Sequence, residues 1–295
     1  MMATLREALP EPARRVLRKA RARLLSVGLL RGMEFLQPPS EAEASASMSI
    51  IVAINDSPEV VQRCLASLEK FAMRSEVILV DDGSVLQQTL DLIEAFRARN
   101  GWKYIRHDVP QGHSKCCNEG AQQSTRLHLC LLNSDTVVTP WSWQGIKEAF
   151  ESDPAIGVAG PSTSWAATRQ MITRAMHCRH YWSDEQINSF AYCIAADNRL
   201  KPCIDLSEAS GCAFFIRRSL WERLGGFDPN LPDYGNESEL CMRVLKADWR
   251  IVWVEGSYIH HFGRQSYGRE EHGALLRRFA VARRYIDSKH SRTKA

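Results

Sequence analysis

The chain has 295 residues, of which 44% are hydrophobic and 24% charged, the composition of a globular protein able to build one large core or two modest ones. Its formal net charge is +4, yet residues 1–36 alone hold eight Arg or Lys against three Glu, so the remainder is close to neutral and lacks the basic surface that a nucleic-acid partner requires. No apolar run approaches the roughly 20 residues that span a bilayer, and nine cysteines without C-x-x-C spacing favour a reducing cytoplasm over a disulfide framework or a structural zinc site.

Residues Glu11–Gly32 place Ala13, Val16, Leu17, Ala20, Leu24 and Val27 at three- and four-residue steps, with Arg14, Arg15, Arg18, Lys19 and Arg21 largely opposite. That pattern is a basic amphipathic helix. Attachment of residues 1–36 to an anionic membrane surface, and packing on the chain's own domain or in a homo-oligomer, are both open at this point. Leu24–Leu30 is too short to cross a membrane and lacks a small-residue cleavage site, so the chain is expected in the cytoplasm or at the inner face of the membrane. Gln37–Ser47 reads as a linker, because Pro, Ser, Glu and Ala without a large apolar residue cannot build a core.

A compact domain is expected over residues 48–268, divided near Pro140, with a terminal helix and tail over 269–295. Ser49–Ile54 reads as a strand, and Asp56–Ser57–Pro58 supplies N-cap chemistry for a helix over Val60–Phe71. Glu76–Val80 is the next strand, Thr89–Arg99 the next helix and Trp102–Arg106 a third strand; Asn118–Ser124 can be helical before a strand at Leu127–Leu132. This alternation argues for an α/β fold, a mostly parallel sheet with helices on both faces. Beyond Pro140, Ile156–Gly160 is a further strand, whereas Trp165–Leu206 has no clear period and reads as a lid or small subdomain. Gly211–Arg217 is a strand, Ser219–Leu224 and Asn236–Lys246 are helices, and Arg250–Val254 is a strand. His272–Tyr285 is a terminal amphipathic helix with Leu275, Leu276, Phe279 and Ala282 on one face.

Two apolar segments run straight into aspartates: Glu76–Ser84 (EVILVDDGS) and Leu127–Thr136 (LHLCLLNSDT). Ligands of open α/β sheets bind beyond the carboxyl ends of such strands, so Asp81, Asp82 and Asp135 are expected to share one crevice. Carboxylates there can hold a ribose hydroxyl or a Mg²⁺ or Mn²⁺ ion whose shell is completed by phosphate oxygens. Asp, Gly and Ser are also ordinary turn residues, and that reading is open for either segment alone. No G-x-x-x-x-G-K-[ST] and no G-x-G-x-x-G is present, so bound phosphates would need a metal and side chains.

From Met48 to about Gly268 the sequence resembles the inverting glycosyltransferases of family 2, which have the GT-A fold. The likeness rests on five ordered blocks: Ser49–Leu68 (SIIVAINDSPEVVQRCLASL), Ile78–Ser84 (ILVDDGS), Gly112–Gly120 (GHSKCCNEG), Leu131–Thr139 (LLNSDTVVT) and Ser210–His261. The resemblance implies a nucleotide-binding half over 48–140 and an acceptor-binding half over 141–268. It implies donor contacts from Asp82 with Asp81 beside it, from Ala53 and Asn55 near the nucleobase, from Lys115, and from Asn133 and Ser134. Asp135 is then the principal metal carboxylate of an N-S-D variant of the D-x-D element. His261, in H-F-G-R-Q-S, approaches the metal or the diphosphate and ranks above His260. Arg264 and Arg269 can add charge to a closing loop. Within Asn236–Leu240 (NESEL), Glu237 takes the position of the catalytic base and Glu239 that of a supporting acid. Trp165, Ser210 and Gly211 fall where acceptor sugars bind, while Trp141, Trp143, Trp221 and Trp249 look like core or interface residues.

The implied reaction moves a sugar from a UDP-, GDP- or dTDP-linked donor to a hydroxyl of a saccharide or lipid-linked saccharide, with Mn²⁺ or Mg²⁺ as cofactor, in surface polysaccharide biosynthesis. Two rivals are open: a nucleotidyltransferase, which usually shows a Gly-rich basic loop near its start, and a catalytically silent member that binds saccharide or a partner.

Overall fold

The computed structural model describes residues 44–263 and 272–291. The basic segment 1–36, most of the linker, and Arg264 and Arg269 lie outside the described residues. Strand β1 (Met48–Ile54) is buried on both faces, which suits its unbroken Ile and Val run. Ile50, Val52 and Ile54 enter one layer with Leu65 and Leu68 of α1 (Pro58–Phe71). Ile51 enters the opposite layer with Cys116, Cys117 and Ala121 of α3 (His113–Gln122). That division follows the two-residue period of a strand and creates the three-layer α/β/α sandwich. The domain begins slightly earlier than the linker reading allowed, since Ala44 and Ser45 are already buried.

β2 (Glu76–Asp82), α2 (Gln87–Asn100), β3 (Lys103–His107) and β4 (His128–Asn133) complete the first half. β3, β2, β1 and β4 run parallel, with β1 between β2 and β4. The chain therefore leaves β1 in one direction for β2 and β3 and returns on the other side for β4, which opens a crevice at the carboxyl ends of β1 and β4. The N-cap expected of Asp56 and Ser57 takes another form. Ser57 is left-handed and makes no side-chain cap bond, whereas Asp56 accepts from the backbone of Val85 and Leu86 and so ties the β1 end to the loop after β2.

The second half departs from a parallel sheet. It comprises β5 (Thr136–Val137), α4 (Gln144–Ser152), β6 (Ile156–Thr163), α5 (Thr173–Met176), α6 (Asp184–Asn198), β7 (Ile204–Asp205), β8 (Ala213–Arg217), α7 (Arg218–Leu224), α8 (Asn236–Lys246), β9 (Arg250–His261) and α9 (His272–Ser291). β8 lies antiparallel to both β4 and β6, and β9 pairs parallel with β6 and antiparallel with β5 and β7. β9 runs seven residues past its expected end at Val254, to His261, and this extension carries His261 to the crevice.

The segment expected to be an irregular lid contains α5 and α6. A capping box between Ser183 and Gln186 starts α6. Ile187, Ser189, Phe190, Ala191, Tyr192, Ile194 and Ala195 are all buried, so the helix has no polar face long enough to produce a period. It packs on β9, with Phe190 and Tyr258 rings 5.2 Å apart. Trp141, Trp143 and Trp221 are core residues as expected. The face expected of α9 holds in part: Ala282 is buried with Ile286 against Leu231 and the Phe279 ring lies 4.5 Å from that of Tyr234, while Leu276 is exposed. Polar anchors near its end, described below, set the rotation of the helix.

Candidate functional site

A crevice of about 770 Å³ opens beyond the carboxyl ends of β1 and β4. The end of β1 contributes Ala53 and Ile54, with Asn55 just after it, β2 contributes Asp82, and the last residue of β4 and the turn beyond it contribute Asn133, Ser134 and Asp135. Trp165 and His261 enter from the second half. Eight of the residues singled out in the sequence are thus gathered on one surface although they span more than 200 positions.

The pairing of Thr136 with His261 sets Asp135 beside the imidazole, with Asp135 Oδ1 3.1 Å from His261 Nε2. The other ring nitrogen, Nδ1, lies 2.8 Å from the carbonyl of Trp165 and donates to it, which fixes ring orientation. Ser164 secures the backbone by exchanging hydrogen bonds with His261 at 2.8 and 2.9 Å. Burial disfavours the charged imidazole, but the carboxylate of Asp135 and the Cys212 side chain hold its pKa well above the ordinary value. Ligands about 2.1 Å from an octahedral cation lie about 3.0 Å apart at adjacent corners, and a metal-binding His characteristically donates its second ring N–H to a carbonyl or carboxylate. Asp135 and His261 fit a divalent cation on both counts. His260 is fully buried, between the hydroxyl of Tyr258 and the carbonyl of Arg179, and belongs to the core. Gly263, at φ +69°, leaves no room for a side chain because a Cβ there would overlap the Trp165 ring.

Asp82 and Asp81 separate as neighbours on a strand must. Asp82 faces the crevice and accepts from the backbone N–H groups of Gln111 and Gly112 and from His107. Burial opposes its ionisation, and these three donors nevertheless pull its pKa below the usual value. Asn55 donates to the Asp82 carbonyl at 2.6 Å. Asp81 is fully buried and does not line the crevice. Its carboxylate is held by Arg106, Tyr104 and the backbone of Ser84, so the donor contact expected of it is replaced by an anchoring role. His107 lies between Asp82 and Glu119, 2.7 Å from each. Asp82, His107 and Cys116 are close enough to share an ion, but both ring nitrogens are already engaged by carboxylates.

Lys115 is also outside the crevice lining. α3 begins at His113, five residues before the expected Asn118, and Lys115 sits on its exposed side near Gln111 and Glu119.

Glu237 and Glu239 lie two positions apart on α8, about 200° around a helix, and have different surroundings. Glu237 is partly buried behind Gly211, where a Cβ would overlap its carboxylate. Burial raises its pKa from 4.5 to about 7, and Glu208 adds to the rise. Glu239 is fully buried, chelated by Arg243 and contacted by Lys289 and His290 of α9. Burial alone would raise its pKa; Arg243 and Lys289 hold it below the ordinary value. It joins α8 to α9 rather than facing the crevice. Ser210 is buried, its N–H bonded to Gln170 Oε1 at 2.8 Å. Ser210, Gly211 and Glu237 are not among the residues lining the crevice, and Gly211 makes room for the Glu237 carboxylate.

Several lining residues were not expected at the site from the sequence. His113, Asp233, Tyr234, Arg278 and Phe279 also line the crevice. Arg278 pairs with Asp233 and lies 5.0 Å over the Tyr234 ring. The partners are 45 residues apart, beyond the reach of any local pattern.

The family model for glycosyl transferase family 2 matches residues 49–225. The chain belongs to that family. An O-antigen biosynthesis protein of Myxococcus xanthus is 26% identical over 265 residues, covering 82% of this chain and 20% of the relative. An N-acetylglucosaminyl-diphospho-decaprenol L-rhamnosyltransferase of Mycobacterium tuberculosis is 26% identical over 171 residues, 54% of each chain. The chain therefore spans from a fifth to about half the length of these curated relatives. Among solved structures, a mannosyltransferase from Pyrobaculum calidifontis, determined with GDP-Man and Mn²⁺, superposes with a TM-score of 0.58 at 13% identity, covering 94% of this chain and 73% of the other. That likeness establishes the GT-A architecture.

Proposed function

We propose that this family 2 member transfers a sugar from a nucleoside-diphosphate sugar to a hydroxyl of a saccharide or lipid-linked saccharide, with inversion, in the synthesis of a polysaccharide or glycolipid. The observation that carries the reading is the Asp135–His261 pair, 3.1 Å apart on the wall of a crevice at the switch point of the sheet. Asp135 and His261 would hold a Mn²⁺ or Mg²⁺ ion, which when bound offsets charge on the departing diphosphate. Asn55 and the Asp82-anchored loop at Gln111–Gly112 bind and orient the nucleoside, and Trp165 offers an aromatic face to a sugar. Glu237 removes the acceptor hydroxyl proton. A carboxylate with a pKa near 7 is matched to that task at neutral pH.

The test incubates the protein with UDP-, GDP- and dTDP-sugars and Mn²⁺ or Mg²⁺. Release of nucleoside diphosphate and sugar, abolished by EDTA and by Asp135→Ala, is the expected result. Formation of pyrophosphate from a nucleoside triphosphate and a sugar 1-phosphate, in a parallel incubation, would make the protein a nucleotidyltransferase, and absence of turnover with every substrate would make it a silent binding member.

A further inference from the structure

We propose that His107 is a positioning residue for the nucleoside: an imidazolium set between two carboxylates, it fixes Asp82 in the orientation that the bound nucleoside meets. The inference rests on the reading that the crevice takes a nucleoside diphosphate, and it names a residue outside the crevice lining that sets how tightly the nucleotide is held. His107 ends β3 in a register that pairs it with Asp82 of β2. Its Nδ1 lies 2.7 Å from Asp82 Oδ1 and its Nε2 2.7 Å from Glu119 Oε2 of α3. An ionised carboxylate only accepts, whereas a neutral imidazole has one donor and one acceptor. A neutral ring would set a lone pair against a carboxylate at one end, so both contacts are satisfied together only when each nitrogen carries a proton. The His107 side chain is only 10% exposed, and solvent screens the two contacts little. The surroundings agree. Burial opposes the charge, yet Asp82 and Glu119 raise the imidazole pKa above its ordinary value. Cys116 of α3, 4.0 Å from Nδ1, stays a neutral thiol because burial raises its own pKa, and Lys115 stands 3.8 Å from the other oxygen of Glu119.

Holding Asp82 matters because its carboxylate also shapes the loop before α3. It accepts from the N–H groups of Gln111 at 2.7 Å and Gly112 at 2.9 Å, and Asp82, Gln111 and Gly112 all line the crevice. His107 and Gln111 share Oδ1. Without the ring, the carboxylate can turn about its Cβ–Cγ bond, a broad torsion, and the loop loosens with it. A hydrogen bond between two charged groups is strong enough to hold one orientation. A bridge that only stapled β3 to α3 would instead act through Glu119, and the two ends of the ring can be replaced one at a time. His107→Asn keeps an N–H donor near the Nδ1 position and loses the bond to Glu119; His107→Gln keeps one near the Nε2 position and loses the bond to Asp82.

The test is calorimetry of the full chain with UDP, GDP and dTDP, each with Mn²⁺. For the nucleotide that the wild type binds, affinity should stay within about threefold in His107→Asn and weaken at least about tenfold in His107→Gln, which loses one charge-assisted hydrogen bond at Asp82. In turnover, that loss should appear in donor KM rather than in kcat. Wild-type affinity should fall as pH rises through the raised His107 pKa, where the proton facing Asp82 or Glu119 is lost. His107→Asn has nothing to titrate there and should show no such fall, and Glu119→Gln, which leaves the Asp82 contact in place, should move the fall to lower pH by removing a negative partner. Loss of affinity in His107→Asn with retention in His107→Gln would make the residue a staple for α3. Equal affinities in the two variants, or a fall with pH that Glu119→Gln does not move, would also overturn the proposal. If the wild type bound none of the three nucleotides, the nucleoside reading of the crevice would itself be lost, and this inference with it.

Discussion

Glu237→Gln tests the assigned base because it should change stability and activity in opposite directions. The wild-type carboxyl is pushed from 4.5 to about 7 by burial, so the folded protein binds this proton more tightly than the unfolded chain. The resulting stabilisation is fully present below about pH 4.5 and is lost as pH rises to 7. Above pH 7 the folded state carries a poorly solvated charge. The shift corresponds to about 3 kcal/mol, reduced to on the order of 1–3 kcal/mol because part of the side chain remains exposed. Gln keeps the size and removes the charge. Chemical denaturation at pH 8 should therefore find the variant more stable than wild type, with the difference vanishing near pH 4. Transfer by the variant should fall by roughly 10²- to 10⁴-fold, and the wild-type rate should drop about tenfold per unit below pH 7, followed as nucleoside diphosphate release. A Gln variant less stable at pH 8, or a wild-type rate flat between pH 5 and 7, would refute this account of Glu237.

Glu239→Gln should act on stability rather than chemistry: it leaves Arg243 without its carboxylate partner while Lys289 keeps Asp228, a loss on the order of 1–3 kcal/mol visible in denaturant midpoints while donor affinity in the folded fraction persists. Asp135→Asn should remove the sensitivity of donor binding to EDTA, measured by calorimetry, because a single neutral oxygen replaces the carboxylate. It should also lower the His261 pKa, readable by NMR, since the negative partner that raises it is gone. Gly211→Ala should cut transfer by displacing the Glu237 carboxylate, with donor affinity preserved in the same calorimetric assay.

Much of the first half was legible because its information is local. The Ile and Val run of β1 requires burial on both faces, and alternation with helical periods compels a parallel sheet with a crevice at its carboxyl edge. Asp82, Asp135 and His261 stand at strand ends, so their convergence followed from topology and the ordered family blocks. What tertiary structure alone decided was direction and partnership. Asp81 and Asp82 are adjacent in sequence and serve different ends because a strand turns successive side chains to opposite faces. Glu237 and Glu239 divide in the same way around a helix: one is left with little solvation and a pKa near 7, the other is locked to α9 by Arg243, Lys289 and His290. The period of α6 vanished because the helix is surrounded. The orientation of α9 was decided by ion pairs to Asp228, Asp233 and Glu239, contacts between distant residues that seat Ala282 and Ile286 against Leu231 and leave Leu276 of the expected stripe exposed.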